Sequence, residues 1–215
     1  MVLEKHIRAK GNERNQHLGK GVESNMNYTV EYQKNSMPLT DFRQKYQNRE
    51  KYMAYCRECT NYNMVWSCPS LSFDVDDYLA KFSRIHVLCA KIVLSSHILA
   101  EADTPEKIKT VGWEILSEVK RNMEEKLRGV EKRIPESVSL SSGGCHFCKE
   151  CSRKDGQPCR QPDKMRYSLD AFGFDLSAIA KDVFAIDILW CKDRLPDYFT
   201  LIHGLLTKDE MPTNL

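Results

Sequence analysis

Residues 85–94, with the sequence IHVLCAKIVL, and the amphipathic segment after them decide the fold. The stretch is almost wholly apolar and rich in β-branched residues, which is typical of a buried β-strand. Thr104 and Pro105 then provide a helix start, with threonine as the N-cap and proline at the first helical position. Apolar residues follow at helical spacing, at Ile108, Val111, Ile115, Leu116, Val119, Met123 and Leu127. This pattern predicts a helix over residues 105–128, ended by Gly129, with its apolar stripe against a sheet.

Later segments predict shorter elements. The predicted elements are a strand at 138–140, a helical turn at 168–172 ended by Gly173, a helix from the cap Asp175 through 181, and strands at 184–190 and 198–205. This order of elements predicts an α+β fold, a sheet with helices packed on one face. The cysteine-rich loops are then expected to gather at one end of that sheet.

Length and composition limit the organisation of the chain. The 215 residues, 41% of them hydrophobic, suit one ordinary domain with an appendage. Residues 1–26 are polar and predict a mobile N-terminal arm. Residues 27–215 are expected to form a single α+β domain.

The net charge and the hydropathy of the chain limit which partners and which compartment are expected. A formal net charge of +2 gives no reason to expect nucleic acid or an anionic membrane as a partner. The longest apolar stretch, 85–94, is interrupted by His86 and Lys91, so it does not predict a membrane span. The N-terminus lacks the apolar region of a signal peptide, and the protein is therefore expected to be cytoplasmic. In that reducing compartment, nine cysteines indicate metal binding or redox chemistry.

One group of cysteines has the spacing C-x2-C-x2-C-x7-C. It consists of Cys145, Cys148, Cys151 and Cys159. The first three resemble the run that wraps a four-iron cluster in bacterial ferredoxins, although the fourth spacing is longer here. The loop is also basic, which favours thiolates and hence metal binding. Arg160 and Arg166 are the basic residues expected to contact a bound group.

A second group precedes it in the chain, as Cys56-x2-Cys59-x8-Cys68 followed by proline. Trp66 is available to shield a cluster from water. Two four-iron clusters take four thiolates each, so seven grouped cysteines leave one iron open to water, an anion or substrate. A ligand such as His146 or an aspartate is the alternative that closes this site. Exchanged pairings, with Cys68 joining the other group, fit the sequence equally well.

Zinc is the alternative metal. A tetrahedral site built from Cys56 and Cys59 with Cys145 and Cys148 would use two C-x2-C pairs, but it leaves the other three grouped cysteines unexplained. Outside the groups, Cys89 and Cys191 lie in apolar stretches and are expected to be small buried hydrophobes. His97 and His203 are expected to be satisfied core or edge residues.

With both groups in view, the chain resembles a family of uncharacterised prokaryotic proteins described as predicted metal-binding (DUF2284). The matching residues are Cys56-x2-Cys59, Trp66-x-Cys68-Pro69, Gly144-Cys145-x2-Cys148-x2-Cys151, Pro158-Cys159-Arg160-x-Pro162 and Ser168-x-x-Ala171-x-Gly173. The resemblance runs from about residue 28 to the end of the chain and implies metal binding in anaerobes, with no established reaction. The chain departs from the family where Ser70 stands in place of a second proline.

Three classes of function fit this sequence. The first is an iron–sulfur protein with one or two [4Fe–4S] clusters, which transfers electrons or serves a larger anaerobic enzyme as an accessory. The second is an enzyme that binds a small molecule or sulfur at an open iron. The third is an interaction module with structural zinc. The expected partner is a redox protein or a larger enzyme, and the sequence leaves open whether the chain is itself an enzyme.

Overall fold

The computed structural model describes residues 21–208. Within them the strands are β1 (Gly21–Ser24), β2 (Tyr28–Pro38), β3 (Arg84–Leu94), β4 (Val138–Leu140) and β5 (Tyr198–Thr207). The helices are α1 (Leu39–Tyr46), α2 (Arg49–Glu58), α3 (Val75–Leu79), α4 (Ser96–Glu101), α5 (Pro105–Glu131) and α6 (Leu176–Phe184). Two short 3-10 turns lie at Ser152–Asp155 and Asp170–Phe172. The strands form one antiparallel sheet in the order β1-β2-β3-β5-β4.

The predicted buried strand, β3, is the centre of the sheet. It pairs with β2 from Tyr28 opposite Leu94 to Pro38 opposite Arg84, and with β5 on its other side. Both faces of β3 are apolar and covered, which explains why its sequence is a nearly continuous apolar run.

The helices lie on both faces of the sheet, which corrects the expected arrangement on one face. Alternate residues of a strand point to opposite faces. Ile85, Val87 and Cys89 pack with α1, α3 and α6 in one core cluster. Leu88, Ala90 and Ile92 pack with α4 and α5 in the other. The α+β class is confirmed. The face of the sheet that each helix covers depends on tertiary contacts that the sequence pattern does not reveal.

The long helix begins as predicted. Thr104 is its N-cap, with Oγ1 accepting a hydrogen bond from the backbone N–H of Lys107 at 3.3 Å. It does not end at Gly129, however, but continues to Glu131. The buried side chain of Val130 anchors this extra turn in the core, and packing therefore outweighs the low helix propensity of one glycine.

Among the later elements, β4, β5, the turn ended by Gly173 and the helix capped by Asp175 are confirmed. The prediction of a strand at 184–190 is wrong. Ala185, at φ 55°, ends α6 in the left-handed conformation, and the following residues pair with no strand among those described. Ile186 is instead buried against the core from an irregular segment. A short apolar run does not by itself distinguish a strand from such a segment.

The N-terminal part of the sheet was not predicted. β2 is exposed over much of its second half, so its residues show no clear alternation. Of the polar arm expected at 1–26, residues 1–20 lie outside the described residues, while Gly21–Ser24 pair with β2. No helix among residues 21–208 is long and apolar enough to cross a membrane.

Candidate metal centre

The earlier cysteine group lies at the end of α2 and in the loop that follows. Asn48 caps the start of this helix through its side chain. The helix ends at Glu58, so that Cys56 lies in its last turn and Cys59 directly follows it. Cys68, at the end of the loop, is buried, whereas Cys59 is exposed. The three thiols thus extend from the protein surface into the interior.

The later cysteine group follows β4. Gly143, at φ +62°, adopts a backbone conformation that L side chains rarely accept, and it turns the chain into the loop. Cys151 precedes a 3-10 turn whose first residue, Ser152, donates its hydroxyl to the carbonyl oxygen of Pro158 at 2.7 Å. This hydrogen bond brings Cys159 back towards the other three cysteines.

The two loops are in direct contact. The backbone N–H of Cys145 donates to Ser67 Oγ at 2.8 Å, and the indole N–H of Trp66 donates to the Gln157 carbonyl at 3.1 Å. Gly144 faces the earlier loop, because a Cβ atom added to it would lie 2.9 Å from Asn61 Nδ2. The same Cβ would lie 3.8 Å from the sulfur of Cys68. A larger residue at this position would require the Asn61 side chain to move.

Arg153 fastens the loops together. Its guanidinium donates to the carbonyl oxygens of Val65 at 3.0 Å, Cys68 at 2.7 Å and Ser70 at 2.5 Å. It also lies over the ring of Trp66, 5.0 Å from the ring centroid. A charged, forked donor that serves several carbonyls gives strong and directional hydrogen bonds. Trp66, expected to shield a cluster, therefore helps to hold this contact as well.

All four cysteines of the later group line one cavity of about 810 Å³. Trp66 and Trp113 form aromatic parts of its wall, and Lys149, Lys154 and Arg160 add positive charge. Cys56, Cys59 and Cys68 are not among its lining residues. The structure thus separates the seven cysteines into a set of four around a cavity and a set of three beside it.

The donor set is that of a thiolate-bound metal centre. Among residues 21–208, no three His, Cys, Asp or Glu side chains converge closely enough to hold one metal ion. A four-iron cluster is larger, and its thiolates stand further apart around it. Backbone N–H groups also point at the sulfurs, since Gln161 N lies 3.4 Å from Cys159 Sγ and Asn61 N lies 3.5 Å from Cys59 Sγ. Such hydrogen bonds stabilise the thiolate and tune a bound cluster.

Burial controls the protonation of the thiols. Desolvation, with a smaller contribution from the negative charge of Asp170, raises the pKa of Cys56 and of Cys68 to about 11. Burial also raises the pKa of Cys145. Without metal these thiols are protonated at neutral pH, so metal binding must release protons and becomes tighter as pH rises.

A buried lysine lies under the loop that carries Cys145. The side chain of Lys120, 4% exposed, donates to the carbonyl oxygens of Gly143 and Gly144. Its Nζ lies 3.7 Å from Oε1 of Glu124, which accepts a hydrogen bond from the Ser141 hydroxyl. Burial lowers the pKa of Lys120, and the negative charge of Glu124 opposes that change. The lysine therefore anchors the cysteine loop from beneath.

The two arginines singled out from the sequence have different surroundings. Arg160 lines the cavity. Arg166 does not, because its guanidinium pairs with the carboxylate of Glu131 and donates to the carbonyl of Asp163 at 3.0 Å. His146 lines the cavity too, with its ring 4.5 Å from the ring of Trp113.

The other cysteines and histidines are partly as expected. Cys89 is fully buried in β3, but Cys191 is exposed after an irregular segment, so its expected burial is wrong. His203 is fully buried in β5, although neither ring nitrogen has a hydrogen-bond partner among the described residues. His97 lies on α4, 3.4 Å from the Glu101 carboxylate.

Several residues of the site were missed from the sequence. Lys120 shares the buried face of α5, which its helical spacing from Met123 and Leu127 would have indicated. Asp170 falls inside the stretch from Ser168 to Gly173 but was given no role. The contacts of Arg153 join distant parts of the chain, and spacing alone carries no signal for them.

Together, these features define a cysteine-rich α+β protein with a thiol-lined cavity, of the kind that binds metal. The chain belongs to the family described as predicted metal-binding protein (DUF2284), whose model matches residues 43–206. That range contains all seven grouped cysteines. No curated protein matches the chain, and no solved structure does.

Proposed function

We propose that this protein holds iron–sulfur clusters and uses them for electron transfer, either alone or as an accessory of a larger anaerobic enzyme. The observation that supports this most is the convergence of Cys145, Cys148, Cys151 and Cys159 on one cavity. The earlier group, with three thiols, would hold a second cluster beside it. Zinc is less favoured, because Cys56 and Cys59 are not among the residues that line that cavity.

The chain's own residues would set the properties of this site. A bound [4Fe–4S] cluster supplies one-electron transfer. Lys120 beneath the loop and Lys149, Lys154 and Arg160 around the cavity place positive charge near the thiolates. Such charge stabilises the reduced, more negative state. Trp66, Trp113 and Met64 add apolar surface that limits water near the sulfurs.

The test is a metal count. The protein is expressed and purified without oxygen, and iron, acid-labile sulfide and zinc are measured per chain. We expect a brown protein with about eight irons and matching sulfide, the content of two four-iron clusters. Stoichiometric zinc with negligible iron would reject the proposal.

The size of the cavity favours a second candidate, an enzyme that binds a small molecule beside the cluster. Its volume of about 810 Å³ falls in the range of small-molecule pockets, about 300–1,000 Å³. The basic lining of Lys149, Lys154 and Arg160, against Glu150 alone, suits an anionic ligand. In anaerobic protein, a change in the reduced electron paramagnetic resonance signal on adding small carboxylates would support it, and a signal unchanged by all of them would leave the electron carrier.

A further inference from the structure

Asp170 has a buried oxygen with no partner. It begins the 3-10 turn Asp170–Phe172, and its Oδ1 atom accepts no hydrogen bond within residues 21–208. A buried carboxylate oxygen without a donor is unfavourable, and such groups in native proteins usually have a reason. The turn lies beside the earlier cysteine group, which has three thiols where a four-iron cluster takes four ligands.

Hydrogen bonds hold this turn against the earlier cysteine group. On one side, the backbone N–H of Ser168 donates to the carbonyl of Ser67, directly before Cys68, at 2.9 Å. On the other side, the backbone N–H of Asn48, the cap of α2, donates to the Gly173 carbonyl at 2.8 Å. The turn is therefore fixed between the helix that carries Cys56 and the loop that carries Cys68.

Gly173 shows how close this packing is. Its φ of +82° ends the turn, and a Cβ atom added to it would lie 2.7 Å from the Cα atom of Arg49 in α2. The Gln47 side chain adds a hydrogen bond to the Phe172 carbonyl at 2.9 Å. With so little freedom, the position of Asp170 relative to α2 is set by the fold.

Acidic groups come together at this place. Asp170 lies close enough to both Cys56 and Cys68 to act on them electrostatically, and the thiol of Cys59 does so too. The buried Lys120 acts on Cys68 and Asp170 from the other side. An iron centre held by the three thiolates would add a cation that the Asp170 carboxylate can bind.

We propose that Asp170 is the fourth ligand of a cluster held by Cys56, Cys59 and Cys68, binding through its carboxylate the iron that the three thiolates leave open. This proposal rests on the proposed iron–sulfur function. Two four-iron clusters take eight ligands, and seven thiolates with the Asp170 carboxylate supply that number. A carboxylate is a harder ligand than a thiolate and holds iron less firmly. The iron at Asp170 is then the one that leaves and exchanges most easily.

The test compares variants of the full chain prepared without oxygen. Asp170→Asn keeps the shape of the side chain and removes its charge, while Asp170→Cys supplies a thiolate. Ser168→Ala is the matched control, because Ser168 is fully buried in the same region and its hydroxyl also has no partner among the described residues. Iron content, the three-iron signal in electron paramagnetic resonance and the rate of iron loss to a chelator are measured.

The expected results differ for each variant. Asp170→Asn should lose one iron to the chelator about tenfold faster or more, and it should show the three-iron signal before any oxidant is added. Asp170→Cys should keep all its iron and resist conversion to the three-iron form. Ser168→Ala should behave as the natural protein does.

Two kinds of failure are distinguishable. Iron-free natural protein would reject the iron–sulfur function, and this ligand with it. Natural protein with two clusters, whose iron loss and spectra are unchanged by Asp170→Asn and by Asp170→Cys, would overturn the ligand alone. If Asp170→Asn does not fold, Asp170→Cys still decides, since unaltered resistance to oxidation would exclude Asp170 from the cluster.

Discussion

The Arg153 guanidinium donates a hydrogen bond to the carbonyl oxygen of Cys68 at 2.7 Å. The first residue belongs to the later cysteine loop and the second to the earlier one, so this contact ties the two candidate clusters to each other.

Arg153→Ala should loosen the earlier loop. It removes a charged donor from the carbonyls of Val65, Cys68 and Ser70, and hydrogen bonds to charged groups contribute about 1.5–3 kcal/mol each. Since Arg153 is partly exposed, we expect a total loss of about 2–3 kcal/mol, with faster proteolysis within residues 60–70. The exposed neighbour Lys154 provides the control, as Lys154→Ala should leave proteolysis unchanged. Equal protection in both variants would contradict this role.

Gly129→Ala should stabilise the protein. Gly129 lies inside α5, and a Cβ atom added there would meet nothing within 4 Å. Alanine in a helix is favoured over glycine by about 0.5–1 kcal/mol, which corresponds to a melting temperature about 1–4 °C higher. Gly112→Ala in the same helix is the contrast, because its Cβ would lie 3.3 Å from the Phe199 ring. A gain at Gly112 but none at Gly129 would refute this account.

The two ungrouped cysteines should differ in reactivity. Burial raises the pKa of the Cys89 thiol to about 12, whereas Cys191 is exposed. In the folded protein, iodoacetamide at pH 8 should label Cys191 and leave Cys89 unmodified, as mass spectrometry of the peptides would show.

Alanine substitutions of Cys89 and Cys191 should also lower the stability of the protein by different amounts. Cys89→Ala should destabilise by about 1 kcal/mol or more through the cavity it leaves, while Cys191→Ala should be nearly neutral. Neither should reduce the iron bound per folded chain. Loss of iron in Cys89→Ala would identify it as a ligand.

The sequence predicts β3 well because both faces of the strand are buried, which makes it a nearly continuous apolar run. It predicts α5 well because the long buried face of this helix has helical periodicity. β2 was missed because its second half is largely exposed, and residues 184–190 were misassigned because their apolar side chains pack without pairing. At the site, cysteine spacing selected all seven candidate ligands. Spacing gave no sign of Asp170, Arg153 or Lys120, because their roles depend on contacts between segments distant in the chain.

The ion pair between Glu131 and Arg166 should make stability depend on pH. Burial alone would raise the pKa of Glu131, but hydrogen bonds from Arg166 and Ser139 hold it below its usual value. A lowered carboxyl pKa adds stability above the ordinary pKa, about 4.3, and that stability disappears as pH falls through the lowered value. At pH 7, Glu131→Gln should cost about 2–3 kcal/mol, because it leaves a half-buried arginine unpaired.

The check is the difference in urea midpoint between the natural protein and Glu131→Gln as pH falls from 7 to about 3, below the ordinary carboxyl pKa. This difference should shrink towards the acid end. Glu125→Gln, at an exposed position of the same helix, should change the midpoint little at any pH. If the difference in urea midpoint between the natural protein and Glu131→Gln does not change with pH, the charge of the ion pair does not contribute to stability.

A substitution in one cysteine group should remove the iron of one cluster, and a substitution in the other group should remove the iron of the other cluster. The cavity is lined by Cys148 with the other three thiols of the later group, and Cys59 is not among its lining residues. If each group holds its own cluster, Cys148→Ser and Cys59→Ser should each lose about half of the iron. The electron paramagnetic resonance signals left in the two variants should add up to the spectrum of the natural protein. Cys191→Ala, which removes an exposed thiol outside both groups, is the control and should keep all of the iron. Loss of nearly all the iron from each variant would mean that the two groups share one cluster, and a pairing that includes Cys68 with the later group would then replace the separate sets.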